Sequence, residues 1–366
     1  MIREGMLARG ISVECWTPKP FFYRISVPFL QKWLGYLDQF VVFPLQVRIR
    51  LLNQPEDTLF VFSDQALGPW VPLVKHRPHV VHCHDFLALR SSLDEFPQNP
   101  TSWTGKIYQK WIKRGFNQAI NFICVSHRSA KDLTQFLDNP GAASIKVVHN
   151  PLDPFFSTMP AGDAKNLLAL QDLAEIKHGF ILHVGGNQWY KNREGVLAIY
   201  AAYARQNPAP LPLLMIGAPP SKQLQATANS IGRPGEVKFL IRPETKVVKA
   251  AYSTASAMLF PSIAEGFGWP IIEAMACGCP VLTTNDAPMT EAGGNVANYI
   301  PKFDTERTDT WARACADILE SVLRRSPSEK LASREAGLAH ARCFDSNSVI
   351  DRYFSIYEDV MKAAKR

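Results

Sequence analysis

The chain has 366 residues, 46% hydrophobic and 20% charged, with a net charge of +7. That length exceeds what one hydrophobic core serves, so two domains of ordinary size are expected, and the composition excludes low-complexity and disordered classes. Residues 1–160 hold 17 Lys and Arg against 12 Asp and Glu, a mild basic excess that suits a phospholipid surface or a lipid diphosphate and is too dispersed for nucleic acid.

Taken in chain order, the start departs from the usual pattern. Residues 2–10 read as the end of a helix closing on Gly10, followed by a strand at 11–16. A doubly wound domain normally opens on a strand and a glycine turn, so the first strand of this one is expected to be missing. Either the natural start lies upstream of Met1 or the architecture differs here. The stretch 21–43 sets Leu30, Trp33, Leu34, Leu37 and Val41 at helical spacing, with Arg24 and Lys32 nearby. Its ordinary reading is core packing; the alternative is an amphipathic helix touching a membrane or a lipid-linked acceptor. The most apolar run, 27–47, is interrupted by Lys32 and Asp38, so no segment qualifies as membrane-spanning, and no secretory signal opens the chain.

Strands are expected next at 58–62, 79–84, 122–126 and 145–149, separated by longer amphipathic stretches, which is the βα alternation of a parallel sheet. Asn150-Pro-Leu-Asp-Pro154 is turn-rich and reads as a connector. Beyond it, strands at 180–184, 213–216, 237–241, 257–260 and 281–283 repeat the alternation. Near the end Ile350, Tyr353, Phe354, Tyr357 and Met361 have helical spacing. The expected organisation is an α/β chain with one Rossmann-like domain over 1–155, a second over 156–345 and a terminal helix over 346–366 that can return onto the first. Seven scattered cysteines suit reduced thiols in the cytoplasm. Cys277-Gly-Cys279 lacks a second Cys/His pair, so buried thiols are expected there rather than a metal site.

The unit 253–284 carries the clearest chemistry. A strand ends at Pro261-Ser262, a loop holds Gly266 and Gly268, and Pro270 suits the first turn of a helix that carries Glu273. Ligands of open parallel sheets bind beyond the carboxyl ends of strands, where a helix N-terminus and closely approaching backbone can cradle a diphosphate. Glu265 and Glu273 flank this cradle. Carboxylates do not bind phosphate, so their partners would be hydroxyls, one set on a sugar and one on a ribose. The plainer alternatives are a solvated loop acid and a first-turn helix acid.

Pro261-Ser-x-x-Glu265-Gly-Phe-Gly-x-Pro-x-x-Glu273-Ala-Met-Ala-x-Gly-x-Pro-Val281 resembles the donor-site signature of glycosyltransferase family 4. The resemblance runs from about residue 75 to 300. It implies a GT-B fold, two Rossmann-like domains facing across a cleft, and retaining transfer of a hexose from a GDP- or UDP-linked donor. The acceptor would be a saccharide or a lipid-linked saccharide in cell-surface polysaccharide synthesis. Val184-Gly-Gly-Asn-Gln-Trp-Tyr-Lys-Asn192 is similar to the family's glycine-containing strand exit. By that resemblance Gly186 lies in the donor loop and Lys191 binds the diphosphate, stabilising the leaving group without a metal or cofactor. Tyr190 stands where many members have arginine; Arg193 is the candidate substitute, with a solvated or acid-paired side chain as the plainer reading.

By the same resemblance His84-Asp85, at a strand end after His82-Cys83, sits beside the donor sugar's reacting carbon, while His82 reads as a packed neighbour. Ser126-His-Arg-Ser129 is similar to the family's Val-Ser-x-x-Ser segment, with Ser126 capping a helix. Asn150-Pro151 replaces an Asn-Gly linker and stiffens the crossing. The implied site is therefore His84, Asp85, Lys191 and Glu265 at the reacting centre, with Gly186, Arg193, Gly266, Phe267, Gly268 and Glu273 holding the nucleotide sugar. The expected location is the cytoplasm, at the inner membrane face if the basic half engages lipid. Two rival readings are a non-catalytic sugar-nucleotide-binding subunit or truncated remnant, and a nucleotide-sugar epimerase of similar fold.

Overall fold

Among the described residues, ten short strands, half of them buried along nearly their whole length, form two parallel sheets. The computed structural model describes residues 1–25, 29–171, 173, 179–232 and 235–365. Strands β1 (Phe60–Phe62), β2 (His79–Cys83), β3 (Asn121–Cys124) and β4 (Ser144–Val147) form a four-stranded sheet in the order β1-β2-β3-β4. Strands β5 (Ile181–Gly185), β6 (Leu213–Gly217), β7 (Val237–Ile241), β8 (Ala257–Phe260), β9 (Val281–Thr284) and β10 (Asn298–Ile300) form a second, in the order β10-β9-β8-β5-β6-β7. Every pairing is parallel, and helices cover both faces of each sheet, as parallel strands require.

The period of two divides the side chains between those faces. In the first sheet Val81, Cys83, Phe122 and Cys124 pack against the helices His127–Phe136 and Trp103–Phe116, while Val80 and Ile123 face the opposite layer. In the second, Leu182, Leu214 and Phe260 enter one core and Ile181, Leu213 and Leu259 the other.

The terminal helix Ser346–Ala364 supplies the missing layer of the first sheet. Val349, Ile350, Tyr353, Tyr357 and Val360 recur every three or four residues and are buried against Val80, Ile123, Val148 and Met6. Its start is capped by Asp345, which accepts the Ser348 N–H at 2.9 Å. The opening helix Ile2–Ala8 lies on it, closed by Gly10 N–H to Leu7 C=O and Ile11 N–H to Met6 C=O, a Schellman arrangement.

The structure corrects three local expectations. Residues 11–16 form no strand: Val13 packs under the terminal helix and Trp16 lies edge-on to Phe60 at 5.6 Å, but the backbone runs along no ladder. β10, three residues paired to β9 at the sheet edge, was not among the expected strands. Within 21–43, of which residues 26–28 lie outside the described residues, the apolar stripe is not core. Leu30, Trp33 and Val41 are exposed, Trp33 by 65%, and the helix Gln31–Leu37 passes through a π-turn at Asp38–Val42 into Phe43–Leu51. All seven thiols are free, five of them buried. Among the described residues no helix is long and apolar enough to cross a membrane.

Candidate active site

The carboxyl end of β8 leads through Pro261 and Ser262 to the 265–268 loop, and β5 leads through Gly185 to the short turn Trp189–Lys191. Because β5 and β8 are neighbours in the sheet, these two exits meet. Lys191 Nζ donates to Glu265 Oε1 at 2.7 Å, and Ser262 Oγ donates to the same oxygen at 2.8 Å. The ammonium also lies 5.0 Å from the Phe260 ring centre and 5.5 Å from that of Tyr190, a cation–π setting. Burial raises the Glu265 carboxyl above its ordinary range despite the opposing pull of Lys191 and Ser262, and the charge of Asp85 adds to the rise.

Gly268 begins the helix Trp269–Ala276 at φ +110°, a conformation that favours glycine, and Pro270 occupies the first turn. Glu273 lies on this helix, where the fully buried Tyr252 donates its hydroxyl to Oε2 at 3.1 Å. Burial pushes the Glu273 carboxyl up to about 7. Phe267 packs inward. Its side chain is 3% exposed, stacked on His149 at 5.6 Å and edge-on to Phe344 at 5.5 Å, so only its backbone is left for a ligand.

Arg193 departs from its plainer reading. It is buried, neither solvated nor acid-paired; Nη1 donates to Asn187 Oδ1 and to Ala218 C=O, tying the β5 exit to the β6 exit. Its Nε lacks a partner among the described residues, and burial lowers the guanidinium pKa. Gly186 lies in the same β5 exit, half-buried beside Gln188.

From the first sheet, β2 delivers His84 and Asp85 to the opposite wall. Gln65, which sequence reasoning missed, grips both residues: its Oε1 accepts the His84 N–H at 2.9 Å and its Nε2 donates to Asp85 C=O. His84 Nε2 lies 2.9 Å from Ser63 C=O. A carbonyl can only accept, so Nε2 carries a proton, and in the neutral ring Nδ1 is the acceptor. Asp85 Oδ1 accepts the Leu87 N–H at 2.9 Å, and burial raises its carboxyl. His82 is the packed neighbour expected: fully buried, it is 2.7 Å from the Tyr357 hydroxyl, and burial pushes it down to about 3.

The two walls touch. A Cβ placed on Gly266 would lie 2.5 Å from His84 C=O, so the close approach that glycine permits here is to the other domain's backbone. Ser126 caps its helix as expected, accepting the Ser129 N–H at 3.0 Å. Asp85 and Glu265 line opposite sides of a cavity of about 180 Å³, together with Arg128, Ser129 and Asp286. A cavity of about 590 Å³ on the outer helices of the second sheet holds none of the candidate residues. Among the described residues one group, His127, His149 and Glu291, brings its ligand atoms within 4.8 Å and could hold a metal, although both Glu291 oxygens already accept backbone N–H groups.

Comparison with known proteins agrees with this architecture. The model for Glycosyltransferase Family 4 matches residues 2–155, further toward the start than the motifs reach, and that for Glycosyl transferases group 1 matches 171–330. The O-antigen chain mannosyltransferase B of Escherichia coli is 26% identical over 252 residues, covering 68% of this chain and 63% of that protein. A D-inositol 3-phosphate glycosyltransferase of Mycobacteroides abscessus is 31% identical over 136 residues, covering 37% and 28%. The matched segment thus spans less than two thirds of either relative. Among solved structures, Anabaena Alr3699/HepE in complex with UDP and glucose superposes with a TM-score of 0.68 at 20% identity, covering 98% of this chain and 89% of that one. WaaG, a glycosyltransferase involved in lipopolysaccharide biosynthesis, gives 0.66 at 16%, covering 97% and 94%. These likenesses establish the GT-B fold, and with the two family models matching in tandem, the chain belongs to glycosyltransferase family 4.

Proposed function

We propose that this protein is a retaining hexosyltransferase that moves a sugar from a GDP- or UDP-linked donor to a saccharide or lipid-linked saccharide acceptor in polysaccharide synthesis. The observation that carries this reading is the Lys191–Glu265 ion pair where the β5 and β8 exits meet, with Asp85 of the first domain lining the same cavity as Glu265. Lys191 binds the donor diphosphate, the 266–268 backbone holds phosphate and sugar, Glu265 accepts sugar hydroxyls and Glu273 those of the ribose. The bond from the anomeric carbon to the diphosphate breaks, and a bond to the acceptor oxygen forms on the same face. The acceptor proton passes to the departing phosphate oxygen. His84, with Nδ1 free to accept, sits beside the reacting carbon. No metal or cofactor takes part in this scheme.

Two relatives named as O-antigen chain mannosyltransferases make a mannosyl donor the first to try, beside UDP-hexoses. The test is nucleoside diphosphate release from a donor panel, with and without saccharide and lipid-linked acceptors, in EDTA. Acceptor-dependent release is expected; an epimerised or free sugar from donor alone supports the epimerase reading, and binding without turnover supports the non-catalytic one. Turnover that requires added divalent metal contradicts the metal-free scheme. Peripheral membrane contact is part of the proposal. Phe21, Phe29, Trp33 and Trp103 are each more than 60% exposed and interleave in the chain with Arg24, Lys32 and Lys106, a composition suited to an anionic lipid surface on the cytoplasmic side.

A further inference from the structure

The N-terminus of the helix His127–Phe136 is shared by both domains. Its first free N–H groups, those of His127 and Arg128, are accepted by the carboxylate of Glu291 at 2.6 and 3.0 Å. Glu291 belongs to the second domain, 164 residues away in sequence. The third free N–H, that of Ser129, goes to Ser126 Oγ at 3.0 Å. His149, at the threshold of the connector, completes the set at 3.2 Å from Glu291. A helix end needs these partners, and this one obtains two of them from across the cleft.

The same helix end holds both walls of the site. Ser126 Oγ donates to Gly266 C=O at 2.9 Å, fixing the cradle, while Ser129 Oγ donates to His84 C=O at 2.9 Å, fixing the opposite strand end. Gly266 has no Cβ where His84 C=O approaches.

We propose that Glu291, Ser126 and Ser129 are positioning residues for transfer. They form a latch that is complete only when the domains are closed and that sets His84-Asp85 against the 266–268 cradle. The inference rests on the transferase reading. Burial acts to raise the Glu291 carboxyl, but His149 and the two N–H groups outweigh it and hold the group below its ordinary range, so the latch carries a negative charge against the positive end of the helix. None of the three residues is hydrogen-bonded to Lys191 or Glu273, and the latch meets the donor cradle only at the Gly266 carbonyl, leaving the cradle's N–H groups untouched. Loss of the latch should therefore spare nucleotide binding and lower turnover, because misplacement of reacting groups by about 1 Å can cost about a hundredfold.

The experiment uses Glu291→Gln and Ser126→Ala, singly and together, with Glu291→Asp as the conservative variant. Expected results are a fall in kcat of about tenfold or more, a calorimetric Kd for UDP or GDP within about threefold of wild type, and partial recovery in Glu291→Asp. The double variant should be no worse than the poorer single one, since both break one latch. Small-angle scattering with saturating nucleotide should show a shift to a larger radius of gyration in both single variants. Unfolding curves identify any variant that fails to fold, and Ser126→Ala, which removes one oxygen, then serves alone. Wild-type kcat together with a wild-type scattering profile overturns the latch. If the wild-type protein binds nucleotide but transfers nothing, the transferase reading falls, and scattering still decides whether the latch closes the domains.

Discussion

Lowering the pH from 8 to 6 is expected to protonate Glu273 and weaken nucleoside diphosphate binding. Burial lifts this carboxyl from its ordinary 4.5 to about 7; the Tyr252 hydroxyl favours the anion, Asp153 disfavours it and Lys191 favours it, and burial prevails. With that value about nine in ten Glu273 side chains are ionised at pH 8 and about one in ten at pH 6. If only the carboxylate accepts the ribose hydroxyls, Kd rises about tenfold over that span, or about 1.4 kcal/mol. For folding the sign is opposite. The native state holds this proton more tightly than the unfolded chain, so Glu273 contributes fully below pH 4.5 and its contribution is lost as the pH rises through about 7. The assay is calorimetric titration of UDP and GDP at pH 6, 7 and 8 into wild type and Glu273→Gln. Titration of the nucleotide's own phosphates enters both proteins alike, so the ratio of the two Kd values isolates Glu273. A ratio that stays constant across the series refutes both the perturbed carboxyl and its role.

Lys191→Ala should lower transfer at least about a hundredfold and also destabilise the fold by about 1–3 kcal/mol in urea titrations, since Glu265 is left buried without its cation; unchanged turnover removes the assigned role. Gly266→Ala should cut kcat by about tenfold or more, because the new Cβ meets backbone of the other domain at 2.5 Å and one wall must shift; wild-type kinetics would show that the contact does not matter in the reacting state. His82 and His183 are held neutral, pushed by burial to about 3 and about 4. Glu273 acts in the opposite direction over this range, so the test uses Glu273→Gln: its stability should fall as the pH drops below 6.5, at about 1.4 kcal/mol per pH unit for each histidine, and equal midpoints at pH 7.5 and 5.5 in that variant refute this. Trp33→Ala with Trp103→Ala should reduce co-sedimentation with anionic vesicles; equal sedimentation denies these side chains a membrane role.

The sequence by itself determined the parts whose cause is local in the chain. The βα alternation is visible because burial on two faces imposes its own period, and the donor signature is visible because residues 257–276 form one strand, loop and helix. The same locality explains Ser126 as a cap and Pro270 as a first-turn residue. What only the tertiary structure decided are meetings between distant residues. Lys191 pairs with Glu265 because β5 and β8 are neighbours in the sheet. The amide of Gln65 grips His84 and Asp85, and the carboxylate of Glu291 caps a helix of the other domain. The inward turn of Phe267 was hidden for the same reason, since its motif fixes the backbone while His149 and Phe344 fix the side chain.

Residues 11–16 failed as a strand despite their alternation, because a strand needs a ladder partner as well as a pattern. The terminal helix shows the converse: its apolar stripe was legible, yet only the uncovered face of the first sheet, with Val80 and Ile123 awaiting a layer, selected where it packs. Hydrophobic pattern specifies that a face must be buried; the partner that buries it is specified by the rest of the chain.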